Sequence, residues 1–274
     1  MSLETARTES LNVGDVRFAF RRLGPTAGTP LILLQHFTGT MDAWDPAVVN
    51  SLAETRPVIA FNNLGIGTST GRTPDTVEQM ASDAETFIRG LDLPKVDLLG
   101  FSLGGMLTQV LAVQHPGLIR KLIIAGAAPR GGEEHLLAVV DEAFAQSGTD
   151  VRLPLFFTPS EESQRAGRAF VARATMRKED RDPDSGEDVS NAQAKAIIGW
   201  CARKHEGEAT LGAIAQPTLI VHGSDDTMFP SINAYNMFKA MKNAQLVLYP
   251  DSGHGALFQY PARFVAHCRT FLDE

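Results

Sequence analysis

The residue types best suited to nucleophilic chemistry meet at Ser102, in the run Gly100-Phe101-Ser102-Leu103-Gly104. A serine hydroxyl is a poor nucleophile alone. It needs a base to take its proton, and the base needs a group that orients it. Residues 96–99 are a mostly apolar run that reads as a buried strand, and residues 106–112 read as a helix with an apolar face. Strand, sharp turn and helix are the context of a nucleophile elbow, which displays a serine at the tip of the turn. The turn is tight, so its neighbours must be small, and Gly100 and Gly104 meet that demand. The helix N-terminus brings free N–H groups and partial positive charge to the same spot, where an oxyanion would be stabilised. The blander reading is an ordinary strand-to-helix turn with a serine N-cap.

A base and an acid are available further on. His254 lies in the glycine-flanked run Ser252-Gly253-His254-Gly255, just after the last expected strand, and Asp225 and Asp226 follow the strand before it. In an open parallel sheet the loops after the carboxyl ends of strands line the ligand crevice. Nucleophile, acid and base thus come in that chain order, each on a loop at one edge of the sheet.

The elements that must position them alternate. Strands are expected at 13–23, 31–34, 57–61, 96–99, 119–125, 218–221 and 246–249, and helices at 43–54, 76–89, 106–112, 231–241 and 261–272, so the fold class is α/β with a mostly parallel central sheet and helices on both faces. Between 129 and 212 the alternation stops. Helical stretches at 133–144, 160–176 and 191–204 read as an inserted cap, and the charged run 177–188 reads as an exposed loop. The expected division is a core of residues 1–129 and 213–274 and a helical cap of residues 130–212.

The chain has 274 residues, 43% hydrophobic and 21% charged, which suits one globular domain with an insertion. A net charge of -7 without a basic block argues against nucleic acid or an anionic membrane surface as partner. A polar start at residues 1–12, no apolar run of spanning length, and only two cysteines, Cys201 and Cys268, make a cytoplasmic protein the expectation, as monomer or homodimer with a small-molecule substrate. No His/Asp/Glu cluster has metal spacing, and no cofactor is expected. The glycines at 65, 67 and 71 miss the dinucleotide-binding pattern. Among the seven histidines, His222 reads as structural, His115 as a partner of helix-terminal carbonyls, and His135, His205 and His267 as surface residues.

The elbow, the His222-Gly223-x-x-Asp226 turn and the Ser252-Gly253-His254 loop together resemble the α/β-hydrolase superfamily, in the capped branch that includes cofactor-free haloperoxidase-like esterases. The resemblance implies Ser102 as nucleophile, Asp226 as acid and His254 as base. It implies the N–H groups of Leu103 and Phe37 as oxyanion donors, and leaves Asp225 to cap the turn. The chain departs from the family at Gln35-His36, where His-Gly is common, and at Asn62-Asn63-Leu64, where an Asp and an Arg often stand. His36, Phe156, Phe157 and Trp200 are candidate pocket residues. The expected activity is that of a serine hydrolase on a small ester or lactone. C–C bond hydrolase, perhydrolase or lyase chemistry with the same triad is an alternative, and a receptor-like ligand-binding module on the same fold is a rival of another class.

Overall fold

A computed structural model of the chain describes residues 2–145 and 150–274. Its strands are β1 (Glu9–Val13), β2 (Val16–Leu23), β3 (Leu31–Leu34), β4 (Val58–Phe61), β5 (Val96–Phe101), β6 (Ile119–Ala125), β7 (Thr218–Gly223) and β8 (Ala244–Tyr249). They form one sheet in the order β1-β2-β4-β3-β5-β6-β7-β8. β2 is antiparallel to β1 and β4, and every other pair is parallel. The strand expected at 13–23 is the second half of a hairpin that turns at Gly14, where φ is +58°. β1 carries little apolar signal because none of its residues is buried.

β4 lies on one side of β3 and β5 on the other, so the strand order reverses at β3, and a crevice opens beyond the carboxyl ends of β3 and β5. Leu34 pairs with Gly100 there, which sets the loop after β3 beside the elbow after β5. The pleat sends alternate side chains to opposite faces. Ile32, Leu98 and Ile124 join one apolar cluster with α2 (Val77–Gly90) and α3 (Leu103–Gln114). Leu33, Leu99 and Ile123 join the other with α1 (Pro46–Ala53) and α11 (Pro261–Asp273). Helices thus cover both faces. α2 is amphipathic, with its first turn capped by the Thr76 hydroxyl, which accepts the Gln79 N–H at 3.2 Å.

Between β6 and β7 stand α4 (Leu136–Ala145), α5 (Arg152–Phe156), α6 (Glu161–Ala174), α7 (Glu187–Cys201) and α8 (Gly207–Ala213), while α9 (Ile232–Ala240) follows β7 and α10 (Ala256–Gln259) precedes α11. α5 and α8 have too few residues to show periodicity, which is why the sequence reading passes over them. Among the described residues no helix is long and apolar enough to cross a membrane.

The run 177–186 is a loop, as its charge predicts, and most of it is exposed, but it is anchored at two buried residues. Arg177 and Asp182 are buried. Arg177 donates to the carbonyls of Leu3, Glu4 and Ala6, and the Asp182 N–H donates to Asp42 at 2.7 Å. Asp42 in turn pairs with the buried Arg21 at 2.6 Å. Two charges that look solvated in sequence, Arg177 and Asp182, thus join a buried polar cluster with Asp42 and Arg21, while most of the other charged residues of the run are exposed. Asn62, where the family often has a charged residue, accepts the Met41 N–H and donates to Asp182, both at 2.8 Å. The His115 ring faces Glu85 at 3.7 Å rather than the terminal carbonyls of α3.

Candidate active site

Ser102 sits at φ 56° and ψ −119°, a left-handed conformation forced on a non-glycine residue, and its N–H donates to the Ala125 carbonyl at 2.9 Å. Such strain persists only where the surroundings impose it. A Cβ on Gly100 would stand 2.2 Å from the Gly104 carbonyl oxygen, and one on Gly104 would stand 2.0 Å from that of Leu34. Both glycines are therefore required for β5, the turn and α3 to pack this closely. The elbow aims Ser102 into a cavity of about 670 Å³, whose lining includes His254, His36, Phe37 and Phe156.

His254 Nδ1 lies 2.8 Å from Asp226 Oδ2. A carboxylate only accepts, so Nδ1 carries the proton and Nε2 presents a lone pair; Nε2 is buried with no partner among the described residues. Phe101, Phe156 and Phe229 surround the imidazole, with ring centroids 5.0, 5.7 and 5.6 Å away. Asp226 is held from three directions. Its Oδ1 accepts the N–H groups of Met228 and Phe229 at 2.9 and 3.0 Å, and His222 Nε2 lies 3.1 Å from Oδ2. Burial alone would raise its carboxyl pKa. The charge of His254 and the hydrogen bonds from both histidines outweigh that and hold it well below the usual carboxylate range. The same pairing outweighs burial at His222, whose pKa is raised, and His222 Nε2 also reaches the Phe229 carbonyl at 2.7 Å. Asp225 is exposed, and among the described residues its carboxylate accepts only the hydroxyl of its neighbour Ser224. The turn-capping expected of Asp225 belongs to the second oxygen of Asp226.

The loop after β3 is braced on almost every backbone donor. The His36 N–H goes to Gln35 Oε1 at 2.9 Å, the Thr38 N–H to Gln193 Oε1 at 2.6 Å and the Gly39 N–H to the His36 carbonyl at 3.0 Å. From residue 36 to residue 39, only the Phe37 N–H has no acceptor among the described residues. Across the crevice, Leu103 opens α3, where an N–H has no helical acceptor, and its side chain is buried. Two N–H groups without an acceptor among the described residues thus come from the loop after β3 and the start of α3, the two segments that the Leu34–Gly100 pairing sets side by side.

His36 lies between the Phe101 and Phe156 rings, 5.4 and 5.3 Å from their centroids. Its Nδ1 donates to the Phe37 carbonyl at 2.8 Å. Burial pushes its pKa down to about 3, opposed by that bond and assisted by the charges of His254 and Arg152, so the ring is neutral.

Two expected pocket residues do not line this cavity. Trp200 is buried between α7 and the core, donates to the Ala128 carbonyl at 3.2 Å and lies under the Arg130 guanidinium. Phe157, the residue that ends α5, packs on Phe170 as Phe156 does, but lines a separate cavity with Asp225 and Asp251. The reading also missed lining residues, among them Arg152, Arg181, Asp184, Ser185 and Met228. Three of these fall in the run assigned to solvent. Among the described residues no cluster of His, Cys, Asp or Glu could hold a metal.

A reversed strand order with an elbow at the switch point, a histidine on the last loop and a helical insertion above them define the α/β-hydrolase fold, and a family model of that fold matches residues 29–261. The chain belongs to this family and is an α/β-hydrolase. It is 40% identical to an alpha/beta hydrolase fold protein from Chitinophaga pinensis, with a TM-score of 0.95 over 100% of both chains. Among curated relatives, it is 26% identical over 251 residues to the pimeloyl-[acyl-carrier protein] methyl ester esterase of Nitrosomonas europaea, covering 87% of this chain and 94% of that one. It is also 26% identical over 257 residues to the 2-hydroxymuconate semialdehyde hydrolase of a Pseudomonas strain, covering 90% and 88%.

Proposed function

We propose that the protein is a serine hydrolase that cleaves a small-molecule ester or lactone through an acyl-enzyme. The observation that carries this reading is the Asp226–His254 pair beside a strained Ser102, flanked by the unpaired N–H groups of Phe37 and Leu103. His254 Nε2 takes the Ser102 proton as the hydroxyl oxygen attacks the carbonyl carbon. The two N–H groups receive the oxyanion, and Asp226 stabilises the imidazolium. The imidazolium then protonates the leaving alkoxide as the C–O bond breaks. Water hydrolyses the acyl-enzyme with His254 again as base. Similarity to an esterase supports this order of events. Similarity to a hydrolase named for a semialdehyde keeps C–C bond cleavage as the second reading. In that case the same residues act and the leaving group is a carbon.

The test is turnover of p-nitrophenyl acetate and butyrate together with labelling by a fluorophosphonate. Ser102→Ala is expected to abolish labelling and lower kcat by roughly 10⁴-fold or more, with folding nearly unchanged. Label appearing on another serine would remove Ser102 from the role. A parent protein that binds such esters without turning them over would favour a receptor-like module.

A further inference from the structure

Thr38 has φ +59°, a left-handed conformation disfavoured for a β-branched residue. Its two backbone groups are both held from the cap. The N–H donates to Gln193 Oε1 of α7 at 2.6 Å, and the carbonyl accepts the Ser185 hydroxyl at 2.8 Å. Gln193 is buried. The preceding carbonyl, that of Phe37, accepts both the Thr38 hydroxyl and His36 Nδ1–H at 2.8 Å. The peptide units on either side of the Thr38 Cα are therefore pinned, the unit before them is tied by its His36 carbonyl to the Gly39 N–H at 3.0 Å, and the Phe37 N–H between these ties is left without an acceptor among the described residues. The two groups that hold Thr38, Gln193 and Ser185, come from a different layer of the molecule.

We propose that Gln193 and Ser185 are positioning residues by which the cap holds the oxyanion loop in its active conformation, so that the Phe37 N–H is placed for the oxyanion only while the cap is seated. This rests on the serine-hydrolase reading. Neither residue touches the reacting atoms. Without Gln193 the half-buried Thr38 N–H loses its acceptor, and Thr38 is free to relax toward negative φ, which shifts the Phe37–Thr38 peptide and, through the Phe37 Cα, the N–H on its other side. An oxyanion donor acts on the transition state far more than on bound substrate, so its misplacement lowers kcat and leaves KM almost unchanged.

The experiment compares Gln193→Leu, Gln193→Glu and Ser185→Ala with the parent on p-nitrophenyl butyrate, reading kcat, KM and melting temperature on the same preparations. Leucine removes the acceptor at similar volume and is expected to lower kcat about 10–100-fold with KM within about threefold. Glutamate keeps an acceptor oxygen and is expected to stay within about threefold of the parent. Ser185→Ala, which removes one of two tethers, is expected to cost about three- to tenfold in kcat. Should Gln193→Leu fail to fold, the Ser185→Ala result decides alone. Equal losses for leucine and glutamate, a change in KM rather than kcat, or a parental kcat in both Gln193→Leu and Ser185→Ala would overturn the proposal. Ser102→Ala in parallel separates the two ideas: if it turns over like the parent the hydrolase reading itself fails, whatever Gln193 does.

Discussion

At the scale of residues, the two adjacent carboxylates show what a motif carries. The spacing from Gly223 points to Asp226, and the structure sets that side chain 2.8 Å from His254 while Asp225 faces solvent. What the sequence does not carry is the use of the other oxygen. Asp226 Oδ1 holds two N–H groups of its own turn, so the orientation of the carboxylate is fixed before any histidine is considered. Asp226→Asn is therefore expected to cut kcat by roughly 10³–10⁴-fold, because the amide favours the wrong imidazole tautomer. Asp225→Asn is expected to cost less than about tenfold. Both are measured with one chromogenic ester at about pH 8, where an ordinary histidine is neutral. A reversed ranking would move the acid role to Asp225. His36 was legible as a candidate pocket residue and does line the cavity; its tautomer follows from the neighbouring Phe37 carbonyl, whereas its packing depends on Phe101 and Phe156, which are distant in sequence.

At the scale of elements, α5 separates residues that look equivalent in sequence. Phe156 and Phe157 are adjacent and both touch Phe170, yet Phe156 lines the Ser102 cavity and Phe157 a separate one. Phe156→Ala is expected to change the preference among acyl chain lengths. Phe157→Ala and Trp200→Ala are expected to keep the preference and lose about 3–5 kcal/mol of stability, as truncation of buried aromatic side chains does. Rates on C2 to C8 p-nitrophenyl esters, with urea denaturation, distinguish them; a changed preference in Trp200→Ala would restore that residue to the pocket. The strands and long helices were legible because their apolar periods are local. The anchoring of residues 177–186 was not, since Arg177 and Asp182 find their buried partners more than a hundred residues away. Asp42→Asn leaves Arg21 and Arg177 without their buried counter-charge and is expected to cost about 3–5 kcal/mol. Urea midpoints give the loss, and one under about 1 kcal/mol would mean that water already screens the cluster.

At the scale of the whole molecule, three buried groups tie stability to pH in different directions. His36 is neutral in the fold down to about pH 3. Its unfolded counterpart protonates near 6.5, so the unfolded chain binds the extra proton and stability falls as pH drops from about 6.5 toward 3. Asp226, with a lowered pKa, contributes stability above the ordinary carboxylate pKa that is lost at still lower pH. His222, with a raised pKa, contributes stability that is complete below about 6.5 and is lost as pH rises through its folded value. The His36 contribution predicts a loss of about 2 kcal/mol between pH 6.5 and 5, read from urea unfolding, that His36→Asn removes. Identical slopes in parent and variant would show that the ring protonates without unfolding. None of this is visible in composition, because all three shifts follow from burial and from neighbours brought together by the sheet.

The path of residues 177–186 also bears on how this architecture can be recombined. Asp182 reaches Asn62 and Thr68, Arg177 reaches the first turn of the chain, and Ser185 reaches Thr38. A chimera that exchanges residues 130–212 for the equivalent stretch of a relative cuts the backbone at two points and severs contacts at many more. The exchangeable unit is discontinuous: it includes the residue 36–42 loop and Asn62 as well. Libraries built by swapping only the contiguous insertion would therefore yield mostly inactive hybrids, whereas those that transfer these remote positions with it would retain a working site.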